Sequence, residues 1–373
     1  MSVFRSRPAL RWLVPSAAAV VIIGGGAAAG TIVASADSPL PARSAAQLLV
    51  DVQNAKVDGF SGTVVETADL GLPAIAGAVG NAAPSGDLTR LLGGSNTARV
   101  WYAGEGQARL ALVGTDGETD MIRNGNDVWL WRSAEHSATH LSVPAGTPDK
   151  KAVPNNMPLT PQEAADQALA AITPTTKVDT TGAAKVAGRD AYELVLSPKD
   201  TTSLVGQVRL AIDAEKHIPL RVDVYAKNAT NPAVRVAFQQ ISFTTPDAQE
   251  FKFNPPPNTK VTEASPKQLQ QEHAKALQEQ QQKKPALAAS PTVIGKGWTS
   301  IVSLKLPASS AASGKKDDSA QMQAALNILP KVSGSWGSGH LLSGSLFSAL
   351  ITDDGRVFVG AVTPAALEAA ATK

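Results

Sequence analysis

His136, His140, His217, His273 and His340 are the side chains best suited to bind a metal or move a proton at neutral pH, and their spacing argues against both. None completes H-E-x-x-H, the helical frame that sets two imidazoles and a general base on one zinc. Glu272-His273 lies in a Gln-rich run and reads as solvated. His136 and His140 are four apart in a strand-like segment, and residues at that spacing meet only on a helix. Ser335, Ser338 and Ser343 lack the glycine spacing of a nucleophile elbow. Gly104-Glu105-Gly106 stops short of a dinucleotide fingerprint, and there is no P-loop. Asp353-Asp354-Gly355 opens like a calcium loop but lacks the later ligands and the closing Glu, so it reads as a hairpin turn. Nothing in the order of the acids points to a glycosidic pair. The absence of cysteine excludes thiol catalysis, thiolate metal sites and disulfides. The chain is therefore read as a binding protein with no catalytic residues, metal or cofactor.

What it binds has to come from the elements. Ser44–Val57 opens on a capping Ser and sets Leu48, Leu49, Val52 and Val57 near one face, which predicts a helix. From Gly59 the period changes to two. Segments near 60–67, 97–103, 107–114, 118–123, 127–132 and 138–143 are rich in Val, Trp, Tyr and Thr and are separated by turn residues. Asn124-Gly125 predicts a two-residue hairpin turn with both central residues at positive φ. Thr160-Pro161-Gln162-Glu163 carries three concordant helix-start signals, predicting a helix over 160–172.

The strands then resume over 185–198, 205–219, 220–228 and 233–246. Tyr192, Leu194 and Leu196 share a face, as do Val208, Leu210 and Ile212, and Leu220, Val222 and Val224. Glu193, Gln207, Arg209, Arg221 and Asp223 fall on the opposite faces. Along 233–246 the apolar phase slips between Phe238 and Ile241, which predicts a bulge at Gln239-Gln240. The run from Phe251 to Pro257 is expected to end the sheet, since consecutive prolines cannot donate to a ladder. A sheet with one apolar face must be covered or must curl, so the fold class is α+β, mainly antiparallel β. The expected form is an incomplete, strongly curved barrel with both helices on its concave side.

Trp129, Trp131, Tyr192, Leu194, Leu210, Val222 and Phe238 are the candidate lining of an apolar cavity. The insertion 69–94 is apolar but broken by Gly and Pro, and is expected to gate that cavity through Leu72, Ile75, Val79, Leu91 and Leu92. At the N-terminus, Arg5, Arg7 and Arg11 precede an uncharged run to Ala36 that ends in Ala34-Ser35-Ala36. This reads either as a signal peptide cleaved after Ala36 or as a retained membrane anchor spanning 12–36, and both place the rest outside the cytoplasm. Four regions follow: 1–36 signal or anchor, 44–264 barrel, 265–290 Gln-rich spacer, and 291–373 a small C-terminal α+β domain. A net charge of +2 gives no electrostatic footprint for nucleic acid.

Several of these features occur together in a familiar order. After the strand pairs come Asn124-Gly125-x-x-x-Trp129-x-Trp131 and the Thr160-Pro161 helix. Then follow Val186-Ala187-Gly188-Arg189-x-Ala191-Tyr192, Ile212-Asp213 with Pro219-Leu220, and a closing Phe251-x-Phe253-x-Pro255-Pro256. Over about 44–264 the chain resembles the LolA-like superfamily, which includes the lipoprotein carrier LolA, mycobacterial lipid-binding lipoproteins, RseB-like sensors and a sporulation-related branch. The resemblance implies an open barrel whose apolar cavity takes acyl chains, with a lipid or acylated lipoprotein as partner and the protein a monomer. It also implies an alternative, an RseB-like sensor that binds a membrane partner such as an anti-sigma factor. LolA holds its lid with an arginine, and Arg99 and Arg109 are the arginines nearby here.

Overall fold

The computed structural model describes residues 40–72, 93–114, 117–142, 174–264, 291–305, 326 and 328–372. Among these, the strands form one sheet of twelve and one of six. The chain enters through α1 (Ala45–Asn54), with Ser44 as its cap. The Ser44 hydroxyl accepts from the Gln47 amide, and the Gln47 side chain accepts from the Ser44 amide at 2.9 Å, so two otherwise orphaned donors are satisfied.

The first half of the large sheet is a meander: β1 (Phe60–Asp69), β2 (Gly93–Tyr102), β3 (Gln107–Gly114), β4 (Gly117–Asn124), β5 (Asp127–Arg132) and β6 (Ser137–Ser142). The second half is β7 (Thr176–Val186), β8 (Arg189–Pro198), β9 (Val205–Asp213), β10 (Pro219–Ala226) and β11 (Val234–Ser242), with β12 (Lys260–Ala264) last. The order across the sheet is β12-β6-β5-β4-β3-β2-β1-β11-β10-β9-β8-β7. Its two ends do not pair, so the barrel is incomplete. Curvature is strong at one end, where β7 and β11 come within 8 Å at Cα although three strands separate them in the sheet.

Several expectations need correction. The strand over 185–198 is two, because Ala187 and Gly188 both take positive φ (50° and 77°) and turn the chain tightly between Val186 and Arg189. The hairpin after β4 is centred on Gly125-Asn126, one residue later than expected. Only Gly125 has positive φ there, the pattern of a turn that needs glycine at its first central position alone. The prolines do not end the sheet. They carry the chain from a 3-10 turn, Ala248–Phe251, to β12, which pairs with β6 as the one parallel neighbour among the described strands. The bulge is present: Thr63 pairs with Gln240 and Val64 with Phe238, leaving Gln239 over. The 1–36 segment with Ala34 and Ala36, the 160–172 helix and the 265–290 spacer lie outside the described residues.

The second sheet comprises β13 (Thr292–Ile294), β14 (Ile301–Lys305), β15 (Lys331–Gly334), β16 (Gly337–Ser343), β17 (Ser348–Thr352) and β18 (Arg356–Gly360), in the order β13-β14-β18-β17-β16-β15. Helix α2 (Pro364–Ala371) starts at Thr363-Pro364, and its Leu367 packs with Leu350, Phe358 and Trp336 in a core of its own. This sheet rests on the first. The Leu204 amide donates to the Ala361 carbonyl at 2.9 Å, the Ser345 amide to that of Leu70 at 2.7 Å, and the Trp298 indole to the Thr176 hydroxyl at 2.8 Å.

Candidate functional site

Because strand side chains alternate, pairing register decides which residues share a face. Tyr192, Leu194, Leu210, Val222 and Phe238 do share one. Val222 stands opposite both Leu210 and Val236, Leu210 opposite Leu194, and Phe238 opposite Val64. Helix α1 covers part of this face, its Leu48 and Leu49 packing on Tyr192, Leu194 and Ile212. Each large apolar side chain so buried is worth about 1.5–3 kcal/mol.

Beyond the helix the same face runs on and opens. Val100, Leu110, Met121 and Leu130 stand directly opposite one another across β2, β3, β4 and β5. Val100, Leu110 and Leu130 are half-buried and Met121 is 53% exposed. Phe238 joins this row to the covered part. Its ring lies over Gly62, the partner of Val100, where a Cβ would sit 2.9 Å from the ring and 2.5 Å from the Gln240 carbonyl. Phe60 bridges Phe238 and Tyr102, with ring centroids 6.2 and 5.5 Å away. One buried acid interrupts the wall. Glu66 is 2% exposed and accepts from the Asn96 amide at 2.6 Å, and burial pushes its carboxyl above the usual range.

Of the expected gate, Leu72 packs against the cluster of Ala68, Leu70 and Val234, which also receives Val224 and, from the connection between β16 and β17, Leu346 and Phe347. Ile75, Val79, Leu91 and Leu92 lie outside the described residues.

Trp129 and Trp131 are on the opposite face. Their register partners are Ile122 and Asp120, which trace through Arg109 and Ala111 to Trp101 and Arg99. Phe253 covers both indoles, with centroids at 5.1 and 6.0 Å, and His140 stacks on Trp129 at 4.2 Å. The structure therefore does not bring these two tryptophans together with the other five candidates. Arg99 and Arg109 share their face, so neither arginine points into the apolar side.

Further along, this outer face is ionic. Asp223, fully buried, is paired by Arg221 at 3.0 Å and Arg235 at 2.6 Å, and Glu193 by Arg209 at 3.5 Å and Arg221 at 3.7 Å. Two residues of the sequence motif meet here: Arg189 grips Asp213 through Nε and Nη2. Asp213 also accepts from the Glu215 and Lys216 amides at 3.0 and 2.6 Å, closing the turn into β10. Burial alone would raise this carboxyl, but Arg189 and the two amides hold it below its usual range. The motif is a structural clamp.

The Val100–Leu130 row escaped the sequence reading, although its signal was there. In β5, Val128 and Leu130 alternate with the two tryptophans, and the larger aromatics drew the choice of face. In β4, Met121 and Ile122 are adjacent and both apolar, so alternation alone could not say which one points outward.

Residues 93–272 match the family model of the MucB/RseB N-terminal domain. This match agrees with the RseB-like part of the sequence resemblance. Among solved structures, the chain is similar to the Pseudomonas aeruginosa MucA/MucB complex, at 15% identity over 88% of this chain and 96% of that one, with a TM-score of 0.44. A LolA superfamily protein of Nitrosomonas europaea matches at 11% identity over 57% and 99% of the two chains, TM-score 0.23. LprF of Mycobacterium bovis matches at 14% over 54% and 96%, TM-score 0.24. Among curated proteins the chain finds no match. No helix of the described residues is long and apolar enough to cross a membrane.

Proposed function

We propose that this is a non-enzymatic, extracytoplasmic protein of the bacterial envelope that binds the acyl chains of a lipid or lipoprotein on the apolar face of its open sheet. One observation carries the reading: the in-register row Val100, Leu110, Met121 and Leu130, continuous through Phe238 with the face beneath α1. Four large side chains left in contact with water on adjacent strands are costly, and an acyl chain laid across them recovers that burial. The match to the MucB/RseB domain agrees with an envelope binding role.

Titrating the purified chain with a fluorescent fatty acid tests this. Saturable binding is expected, and Met121→Asp should weaken it at least tenfold while leaving thermal stability unchanged, because Met121 is exposed. Equal binding by the variant would refute the reading.

A second reading, an RseB-like sensor with a membrane protein partner, is favoured by the same family match. Cross-linking in the native membrane, followed by capture of a single-span protein, would support it; capture of lipid alone favours the first.

A further inference from the structure

On the face opposite the apolar row, a cleft of about 510 Å3 opens between β3, β4, β5 and the 252–254 segment. Trp131 and Phe253 line one side, and Arg109, Asp120 and Glu118 the floor. Asp120 is 3% exposed, and only one of its two oxygens is used: Oδ2 accepts from Arg109 Nη2 at 2.6 Å, while buried Oδ1 meets no donor. Arg109 is likewise half-used. Nη1 donates to the Glu250 carbonyl at 3.5 Å and the guanidinium lies 4.9 Å over the Trp101 ring, but buried Nε has no acceptor. The Ser133 hydroxyl accepts from the Glu118 amide at 2.7 Å, which leaves its proton free to donate. A buried polar atom without a partner is destabilising, so an orphaned acceptor and an orphaned donor in one cleft call for a ligand group that offers both.

Charge narrows the choice. Arg109 and Lys252 oppose a cationic ligand, and Asp120, Glu118 and Glu250 oppose an anionic one. Burial and the neighbouring Asp120 push the Glu118 carboxyl above its usual range, so adding a further negative charge here is unfavourable. A hydroxyl group donates and accepts at once without bringing charge, and a sugar ring offers several beside an apolar face that packs on an indole or phenyl ring. We infer that this cleft is a second binding site, separate from the acyl-binding face, and that it takes a neutral sugar: one hydroxyl bridges Asp120 Oδ1 and Arg109 Nε, and the ring rests against Trp131 and Phe253.

Saturation-transfer NMR on the full chain tests this, with D-glucose and N-acetyl-D-glucosamine as probes and putrescine and acetate as charged comparators. Transfer to the ring protons of at least one sugar is expected, saturable on titration and absent for both comparators. Asp120→Asn should weaken sugar binding about tenfold or more, the scale of a lost hydrogen bond to a charged group, while fluorescent fatty acid binding is unchanged. No transfer to either sugar, stronger binding of putrescine or acetate, or sugar binding that Asp120→Asn leaves intact would overturn the assignment. If circular dichroism shows that Asp120→Asn does not fold, Asn254→Ala decides. Asn254 is an exposed residue at the cleft rim, so its loss should spare the fold and weaken sugar binding severalfold; unchanged binding would overturn the proposal.

Discussion

Strands β2 to β5 present two faces made from the same alternating residues, and the two have been finished differently. On one, Ile122, Trp131, Asp120 and Ala111 are buried because the chain returns after β11 and lays Phe251 and Phe253 across them. On the other, Val100, Leu110 and Leu130 stay half-buried and Met121 more than half exposed, with no such segment among the described residues. Covered by their own chain, Trp129 and Trp131 are shielded from an acyl chain whatever their size, although a cleft stays open beside Phe253. An apolar face left open is where a ligand has something to gain.

The largest effect should come where the open face passes under α1. Leu194 is 1% exposed between the helix and the sheet, so Leu194→Ala should cost about 2–5 kcal/mol in urea unfolding. The contrast within one face is the point: Leu130→Ala, at a half-buried position, should cost well under half as much. Equal losses would mean that the outer row is as covered as the helix-packed part.

Next comes the lid of the closed face. Phe253 is half-buried against both indoles, so Phe253→Ala should cost about 2 kcal/mol, below the full-burial range for this change, and should red-shift tryptophan emission. Unchanged emission would show that the indoles do not depend on this cover.

The smallest effect is a pH dependence at the edge of the same face. His140 lies between two carboxylates, and as an imidazolium it donates from Nε2 to Asp127 at 3.0 Å and from Nδ1 to Glu263 of β12 at 2.8 Å. Burial alone would pull its imidazolium down, but the two carboxylates outweigh this and raise it. A folded value above the unfolded one of about 6.5 makes the contribution full below that pH and lost as pH rises through the folded value. Both carboxylates are exposed, so the difference between the native chain and His140→Ala should shrink by under about 1 kcal/mol from pH 6 to pH 8, leaving the pH-independent loss of the stacking on Trp129. A difference that grows with pH would contradict this pairing.

Much of this architecture was legible from period-2 alternation, which put Tyr192, Leu194, Leu210 and Val222 on one face and Glu193, Arg209, Arg221 and Asp223 on the other. The slip at Gln239 was legible for the same reason, since a bulge must shift the apolar phase. What was not legible is long-range. No local pattern says that β12 will cross beneath the prolines to lie parallel to β6. None says that Phe253 will cap Trp129 and Trp131 and so take them out of the candidate site. Ala187-Gly188 was missed because alanine at positive φ carries no turn signal; only the pairing of Val186 with Arg189 forces it.

The central claim, that the open face rather than the tryptophan face receives acyl chains, is tested most directly by photo-cross-linking the chain to a diazirine-bearing fatty acid and mapping the adducts by mass spectrometry. Adducts are expected on peptides carrying Val100, Leu110, Met121 or Leu130, at those outward residues. Adducts concentrated on Trp129, Trp131 or Phe253, or none above the level of a denatured control, would contradict it.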